Sequence, residues 1–441
     1  MGNFLTKSIK PQKQTGKDSM SSEQLLTPTI KNKPSLLGRL APKTWARALI
    51  LKHLSTMQRG QLIIEEAGIK TIYGDQSDKV ELVAQLCIVD ENTYSALAFN
   101  GVIGAGESYM EGHWTSPDLV KVIRFFVINM QTLDAMDGER SWLSRIGMWL
   151  LDRINRNTLS RAQKNISAHY DLGNDFFSLF LDETMMYSSA VFADEKISLY
   201  EASNAKLETI CQQLKLNKND HLVEIGTGWG GMAVYAAQNY GCRVTTTTIS
   251  QEQYDYACER VNSLGLNDQV TVLMEDYRKL TGRYDKLVSI EMIEAVGRQY
   301  FSEYFSRCAD LLKPNGLMLI QAITIADQRY DQAARAVDFI QRYIFPGGCL
   351  PSVNIIGHHV ASNTDMMIIS LSDIGRDYAI TLERWREQFL NKLEAVRSQG
   401  FDERFIRMWE YYLCYCEGGF RERVISTAQI VMAKPDYRKA L

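Results

Sequence analysis

The sequence predicts an α/β fold organised around a doubly wound parallel sheet. The first observation is a regular alternation of strand-like apolar runs with helical or loop segments, the runs being residues 221–225, 243–249, 269–274, 284–290 and 317–323. The second is a glycine-rich turn directly after the first run. The third is an ordinary globular composition, with 45% hydrophobic and 23% charged residues among 441. Alternating strands and helices are typical of parallel sheets, which bind ligands at the carboxyl ends of their strands.

The glycine-rich turn has the sequence LVEIGTGWGG, residues 222–231. Its glycines let the backbone approach a ligand closely, and the helix predicted after them offers unpaired N–H groups. These glycines are Gly226, Gly228 and Gly230. A dinucleotide-binding turn would place a carboxylate at the end of the next strand, but residues 243–250 contain none and Glu224 lies in the first strand instead. The pattern favours S-adenosylmethionine (AdoMet), and the alternative is a glycine-rich turn with no ligand.

Polar side chains follow the next two predicted strands at the edge where a ligand would bind. Thr248, Ser250 and Gln253 follow the second strand, where they can hydrogen-bond a ribose. Asp276 and Tyr277 follow the third, where an acid and a ring can hold an adenine. We therefore predict that these five residues bind the cofactor.

Two carboxylates, Glu291 and Glu294, follow the fourth strand, and residues 321–324 end the fifth. The alternative for Glu291 is a solvated loop carboxylate. Because both acids follow a buried strand at its ligand-facing end, the sequence favours a function for them. We predict that Glu291 contributes to the cofactor site and that Glu294 has a function in this crevice.

Composition and charge exclude several classes of function. The net charge is −3, which argues against nucleic-acid binding. Eight scattered cysteines without a CxxC pair predict reduced thiols rather than a disulfide framework. We find no apolar run long enough to span a membrane and no signal-peptide core. His358 and His359 lack partners at ligand spacing, so we predict no metal site.

The composition changes along the sequence and predicts its organisation. Residues 1–34 are polar and predict a disordered tail. Residues 35–135 predict a small α+β domain with a helix over 36–58 and strands over 61–65, 80–89 and 96–103. Residues 136–165 predict a basic amphipathic linker containing Trp142 and Trp149, which suits an anionic membrane surface. The alternative is an interdomain helix with its apolar face buried. Residues 166–441 are predicted to form the catalytic domain.

Residues 167–192 precede the glycine-rich turn and are rich in polar and aromatic groups, including His169, Tyr170 and Asp171. We predict that this segment forms a lid over the cofactor, with Tyr187 and Ser188 contacting it. The alternative for the histidine is a capping or core residue. Farther along, a strand over 366–371, an aromatic helical stretch over 385–420 and a closing strand over 425–434 are expected. Residues 409–420 are interpreted as core, with an acyl-chain pocket as the alternative.

Several segments together resemble the cyclopropane-fatty-acyl-phospholipid synthases, a family that includes the mycolic-acid methyltransferases. The matching segments are GESYMEGHW (106–114), HYDLGNDFF (169–177), YS (187–188), EIGTGWGG (224–231), TISQEQ (248–253), EDYR (275–278), EMIEAVG (291–297), RYIFPGGCLPS (342–352), DYAITLERW (377–385) and FRER (420–423). They occur in family order from about residue 60 to the end. The resemblance implies a class I AdoMet methyltransferase domain preceded by a lipid-binding N-terminal domain.

The resemblance also implies a mechanism. The alkene of an unsaturated fatty acid attacks the AdoMet methyl group, a base removes a proton from the new methyl, and a cyclopropane ring closes. In this family the base is a bound bicarbonate ion. The matching positions are Glu294, Tyr378, the backbone of Ile323, Ser189 where the family has Cys, and Gln321 where it has His. Ala295 stands where the family has a further His, and these changes bear on ring closure more than on methyl transfer.

The function implied is therefore that of a cytoplasmic cyclopropane-fatty-acyl-phospholipid synthase, peripheral at the inner membrane surface. Its partner would be an unsaturated phospholipid, and its relatives form homodimers. Three alternatives remain open: a non-cyclising C-methyltransferase of fatty acids, a small-amine N-methyltransferase, and a non-catalytic lipid-binding protein.

Overall fold

The computed structural model describes residues 43–131 except Asp78, together with residues 172–438. These residues fall in one compact unit, Pro42–Leu441. The predicted tail (1–34), the predicted basic linker (136–165) and the lid residues His169, Tyr170 and Asp171 lie outside the described residues.

A four-stranded sheet forms the N-terminal part, in the order β2-β1-β3-β4. Strand β1 pairs antiparallel with β2 and parallel with β3. The strands are β1 (Gln61–Glu66), β2 (Ile69–Gly74), β3 (Val83–Ile88) and β4 (Trp114–Thr115). The helices here are α1 (Lys43–Leu54), α2 (Asn92–Met110) and α3 (Leu119–Ile128). Sheet and helices agree with the predicted α+β character.

The predicted strand over residues 96–103 is wrong, because these residues lie in α2. An apolar run of this length fits a strand or a buried helix equally well. Gly101 interrupts the helix with φ 53° and ψ −129°, a conformation that glycine adopts readily. On the C-terminal side of this kink, α2 packs so closely against Phe339 that a Cβ on Gly106 would lie 2.4 Å from its ring. Glycines at these positions therefore serve the bend and the close packing of α2.

The larger sheet has seven strands in the order β10-β11-β9-β8-β5-β6-β7. Its five strands from β5 to β9 run parallel, and β11 pairs antiparallel with both β9 and β10. The strands are β5 (His221–Ile225), β6 (Arg243–Thr248), β7 (Val270–Met274), β8 (Tyr284–Ile290), β9 (Leu312–Ile325), β10 (Met367–Asp373) and β11 (Ile425–Ala433). This arrangement confirms the predicted doubly wound sheet, including the two late strands.

Helices follow most of the strands and cover the sheet. They are α4 (Asn174–Phe177), α5 (Leu199–Gln213), α6 (Gly231–Tyr240), α7 (Gln251–Ser263), α8 (Phe301–Leu311), α9 (Asp327–Ala333), α10 (Phe339–Tyr343), α11 (Val353–Asn363), α12 (Gly375–Asn391), α13 (Leu393–Ser398) and α14 (Glu403–Arg421). The predicted helical stretch over 385–420 is thus three helices. None of the helices within the described residues is long and apolar enough to span a membrane.

One hydrophobic cluster includes residues from both predicted domains, among them Leu62, Phe125, Phe176 and Trp409. Helix α14 runs through it and approaches α3 so closely that a Cβ on Gly418 would lie 2.6 Å from Ile123 Cγ2. The division into domains at residues 135 and 166 stays a prediction, because the core is shared between the two parts.

Candidate active site

The site lies where the carboxyl ends of β5, β8 and β9 meet. Ile225 pairs with Ser289 and Ile290 pairs with Gln321 in the parallel ladder. The register therefore brings the glycine-rich turn after β5, Glu291 after β8 and Gln321 on β9 to one edge of the sheet. Residues separated by almost a hundred positions in sequence become neighbours in this way.

The glycine-rich turn has a backbone that favours glycine at all three predicted positions. The φ angles are 98° at Gly226, 51° at Gly228 and 81° at Gly230. Gly230 is the N-cap of the ten-residue helix α6, whose first N–H groups are available to a ligand. A Cβ added to Gly228 would meet nothing within 4 Å. The turn therefore leaves open space beside its backbone, as binding of AdoMet requires.

Glu224 lies beneath this turn, buried within the sheet. Thr246 Oγ1 donates a hydrogen bond of 2.6 Å to Glu224 Oε2, and Thr246 also contacts Thr227 Oγ1 at 2.7 Å. Burial raises the pKa of Glu224 to about 8, against the opposing effects of the Thr246 bond and the Lys206 charge. In this structure the Glu224 carboxyl is hydrogen-bonded to Thr246 on the neighbouring strand β6. Its contact with a cofactor therefore stays a prediction.

The residues predicted to bind the ribose are hydrogen-bonded to one another. Thr248 Oγ1 donates to Gln253 Oε1 at 2.9 Å, and Ser250 caps α7 by accepting from the Gln253 N–H. Asp276 accepts two hydrogen bonds from the Arg278 guanidinium, at 2.9 and 2.6 Å. Tyr277 is buried, and its hydroxyl has no hydrogen-bond partner among the described residues. These contacts fix the loops after β6 and β7 before any ligand binds.

Glu291 is the centre of a polar cluster that joins four segments of the protein. Its Oε1 accepts a hydrogen bond of 2.9 Å from the Ser189 N–H and one of 2.8 Å from Gln321 Nε2. Its Oε2 accepts one of 2.8 Å from the Tyr378 hydroxyl. Burial raises the pKa of Glu291, while the bonds from Gln321, Ser189 and Tyr378 and the charge of Lys206 oppose this rise. Three residues that we assigned to catalysis thus contact the glutamate that we assigned to the cofactor.

A relay of three amide side chains orients Gln321. Gln213 Nε2 donates to Gln429 Oε1 at 2.7 Å, and Gln429 Nε2 donates to Gln321 Oε1 at 3.0 Å. Because the Gln321 oxygen is occupied, its NH₂ group points to Glu291. Gln321 and Gln429 are fully buried. The sequence reasoning missed Gln213 and Gln429, which carry no motif and lie on α5 and β11.

Glu294 occupies a different environment three residues later. Its Oε1 accepts from the Ile323 N–H, whereas its Oε2 is buried with no hydrogen-bond partner among the described residues. Burial and the neighbouring Glu291 charge raise the pKa of Glu294 to about 8. These two effects favour the neutral form of Glu294, whereas the Glu291 carboxyl is held by three hydrogen-bond donors.

Lys206 is a fully buried lysine that the sequence reasoning also missed. Its Nζ donates a hydrogen bond of 2.7 Å to Ser188 Oγ. Burial lowers the pKa of Lys206 to about 8, while Glu291, Asp182 and Glu224 oppose the shift. The buried face of helix α5 includes Leu199, Ala202, Ser203, Lys206, Leu207 and Ile210. In the sequence, the burial of Lys206 could have been inferred from its position within this mostly apolar stripe of helical spacing.

Aromatic side chains enclose the cluster. Tyr187 and Tyr412 share a hydrogen bond of 2.8 Å between their hydroxyls. The Tyr378 ring stacks on Phe420 at a centroid distance of 4.4 Å. Trp229 of the glycine-rich turn donates from Nε1 to Asn174 Oδ1 at 2.6 Å. The segment predicted as a lid therefore contacts the turn through its described part.

The comparison with known families identifies the fold and the family of the protein. A sequence profile described as mycolic acid cyclopropane synthetase matches residues 157–430. The protein belongs to this family. The matched residues include the glycine-rich turn and the four segments that meet at Glu291.

Relatives and solved structures agree with this assignment. The sequence is 37% identical over 337 residues to the tuberculostearic acid methyltransferase UfaA1 of Mycobacterium tuberculosis, covering 75% of this protein and 78% of that one. It is 36% identical over 355 residues to the cyclopropane-fatty-acyl-phospholipid synthase of Escherichia coli, covering 80% and 88%. The structure is similar to the cyclopropane synthase MmaA2 from Mycobacterium tuberculosis, with TM-score 0.58, 29% identity and coverage of 62% and 98%. It is also similar to the mycolic acid cyclopropane synthase CmaA1 complexed with SAH and CTAB, with TM-score 0.59, 29% identity and the same coverage.

The protein is thus an AdoMet-dependent C-methyltransferase, either a cyclopropane synthase or a related lipid methyltransferase. These comparisons confirm the predicted fold, family and enzyme class. No group of His, Cys, Asp and Glu suited to a metal occurs among the described residues.

Proposed function

We propose that this enzyme adds the methyl carbon of AdoMet across the cis double bond of an unsaturated fatty acid esterified in a membrane phospholipid, forming a cyclopropane ring. The observation that supports this function best is the pair Glu291 and Glu294 at the strand ends, with Glu291 bonded to Tyr378, whose ring stacks on Phe420. Alkylation of an alkene leaves a carbocation on the lipid. Such a cation needs an electronegative pocket from which water is excluded.

AdoMet supplies an electrophilic methyl group when it is bound. The residues of the protein bind it, orient it and exclude water. The turn at Gly226, Gly228 and Gly230 offers its backbone and the N-terminus of α6, and the open side of Gly228 leaves space for the ligand. We propose that Tyr187, Ser188, Thr248, Ser250, Gln253, Asp276 and Tyr277 complete the cofactor site.

The aromatic wall suits a hydrocarbon tail. Phe177, Tyr187 and Trp229 lie together, with the Phe177 and Trp229 ring centroids 5.0 Å apart. A wall of this kind contacts methylene groups and holds the double bond without competing hydrogen bonds. It also stabilises a developing cation through the negative faces of its rings.

A second candidate is a non-cyclising lipid methyltransferase, in which the cation rearranges and loses a proton to leave a methylene or methyl branch. The substituted positions Ser189 and Gln321 favour this outcome, because both donate hydrogen bonds to Glu291 at the place where the proton must be received; Ala295 is a third substituted position. A relative named as a tuberculostearic acid methyltransferase, 37% identical, adds weight to it.

Incubation with AdoMet and vesicles of monounsaturated phospholipid distinguishes the two candidates. Cyclopropanation adds one CH₂ by mass spectrometry and gives upfield ring protons by NMR. The non-cyclising reaction gives the same mass gain with vinylidene or shifted alkene protons. Absence of any mass gain in lipid, with methylation of small amines instead, would overturn the proposal in favour of an N-methyltransferase.

We also propose peripheral association with the cytoplasmic membrane surface, supported by the Trp-rich basic composition of residues 136–165. Flotation with anionic vesicles tests it, and the expected result is co-flotation that decreases with added salt. Sedimentation at equilibrium tests the predicted homodimer separately.

A further inference from the structure

Three of the hydrogen-bond donors that the family resemblance assigns to bicarbonate are bonded to the Glu291 carboxylate instead. Ser189, Gln321 and Tyr378 all donate hydrogen bonds to the Glu291 carboxylate, through a backbone N–H, an amide and a hydroxyl. A carboxylate and a bicarbonate ion present the same planar pair of oxygens to such donors. The Glu291 side chain therefore occupies the position that a small oxyanion would take.

A second anion does not fit beside it. The three donors point to Glu291, and the relay from Gln429 fixes the Gln321 amide in that direction. The remaining backbone donor assigned to the ion, the Ile323 N–H, is bonded to Glu294 Oε1. Bicarbonate would thus meet a like charge and find these donors occupied, and like charges at short range are unfavourable. The residues present do not fit the ion.

The backbone at Glu291 shows that this arrangement opposes a local preference. Its φ of 48° lies in the left-handed region, which is uncommon for residues other than glycine. The Glu291 N–H is held there by a 2.7 Å hydrogen bond to the Gln321 carbonyl. This backbone conformation brings the Glu291 carboxylate to its three donors. Strained conformations of this kind cluster at functional sites.

We propose that Glu291 is the built-in base of this enzyme and replaces bicarbonate. This inference rests on the proposed function. The carboxylate takes a proton from the newly added methyl carbon, and the C–H bond breaks. Its electron pair forms the new carbon–carbon bond that neutralises the cation. The proton stays on Glu291 as a carboxylic acid and passes to water when the lipid product leaves.

Two substitutions at this position separate the role of the charge from the role of the space. Glu291→Gly removes the carboxylate, suits the left-handed backbone and opens a cavity lined by the same three donors. Glu291→Gln removes the charge but keeps the space filled. Glu394→Gln, an exposed position on α13, is the matched control. Methyl transfer from labelled AdoMet to vesicle lipid is measured in CO₂-free buffer and again with added bicarbonate.

We expect the wild-type rate and that of the control to be independent of bicarbonate. Both Glu291 variants should lose about 100-fold or more of the rate in CO₂-free buffer, the range of general-base catalysis. Added bicarbonate should restore activity to Glu291→Gly in a saturable way and leave Glu291→Gln inactive. A wild-type rate that falls when CO₂ is removed would overturn the proposal, as would a Glu291→Gln variant that retains its activity.

Binding of ¹³C-labelled bicarbonate, followed by broadening of its ¹³C resonance, gives a readout that needs no turnover. The wild-type protein should leave the resonance unchanged, and Glu291→Gly should broaden it. Circular dichroism verifies that both variants are folded. If the wild-type enzyme methylates no lipid, the proposed function fails. The ¹³C measurement still decides whether Glu291 occupies the anion position, and broadening by the wild-type protein would refute that occupancy.

Discussion

Replacing Tyr378 by phenylalanine removes one hydroxyl from the active site and leaves the ring in place. The ring keeps its stacking on Phe420 at 4.4 Å and its edge contact with Trp385 at 6.1 Å. The lost interaction is the 2.8 Å hydrogen bond to Glu291 Oε2. Burial raises the pKa of Tyr378 well above its usual value, so the hydroxyl remains a donor throughout the working pH range.

A hydrogen bond to a charged group contributes about 1.5–3 kcal/mol. If this bond reaches its full strength only in the transition state, its loss lowers kcat by roughly 10- to 150-fold, at about 1.4 kcal/mol per decade. The KM for AdoMet should stay unchanged, because Tyr378 contacts the base in this structure and not the glycine-rich turn. Tyr200→Phe, with a tyrosine that is 46% exposed on α5, is the control.

The assay is steady-state transfer of labelled methyl to phospholipid vesicles, with AdoMet varied at saturating lipid. A loss smaller than about threefold, or a change confined to the KM for AdoMet, would refute the reasoning. Combining Tyr378→Phe with Glu291→Gln gives a second check. The double variant should be scarcely slower than Glu291→Gln alone, because both substitutions act on the same interaction.

Three other perturbations test separate parts of the site. Gln429→Leu leaves Gln321 Oε1 without its hydrogen-bond donor. We therefore expect the free energy of unfolding, measured by urea denaturation, to fall by about 1–3 kcal/mol, and methyl transfer to become slower. Unchanged stability would contradict the proposed relay of amide side chains. The pKa of Glu294 rises from an ordinary value of 4.5 to about 8 in the folded state, so the folded protein binds this proton more tightly than the unfolded chain does. The contribution of Glu294 to the free energy of unfolding should therefore be largest below pH 4.5. It should fall as the pH rises towards 8, by at most about 1.4 kcal/mol per pH unit. Glu294→Gln should flatten this slope in urea titrations at several pH values, and an unaltered slope would show that the group ionises freely. Gly228→Ala places a methyl on the open side of the turn at φ 51°, so calorimetry should show weaker AdoMet binding, whereas an unchanged Kd would place the ligand elsewhere.

The sequence was sufficient to predict the larger sheet because its strands are short apolar runs separated by helical segments. Parallel strands buried on both faces give this pattern directly. The predicted strand over 96–103 is wrong because a short apolar run fits a strand or a buried helix equally well, and here it continues into the glycines that let α2 bend and pack closely. Local pattern cannot distinguish these uses of glycine, since the deciding contact is with Phe339 on another element.

The sequence predicts which residues belong to the active site, but it does not predict the hydrogen bonds between them. Ser189, Glu291, Gln321 and Tyr378 were all identified, yet their mutual hydrogen bonds depend on the register of β8 with β9 and on the position of α12. No local rule places a tyrosine 87 residues away against a particular carboxylate. The different environments of Glu291 and Glu294 follow from these contacts, which is why the sequence alone could not tell their roles apart.

Helix α14 links the region of the N-terminal sheet to the catalytic centre. Its Gly418 contacts Ile123 of α3, and nearly two turns away Tyr412 bonds Tyr187 beside the active site. The same helix packs extensively on α12, which carries Tyr378. A displacement of α3 would thus be passed along α14 to the Tyr187–Tyr412 hydrogen bond and, through the packing of α14 on α12, to the helix that carries Tyr378.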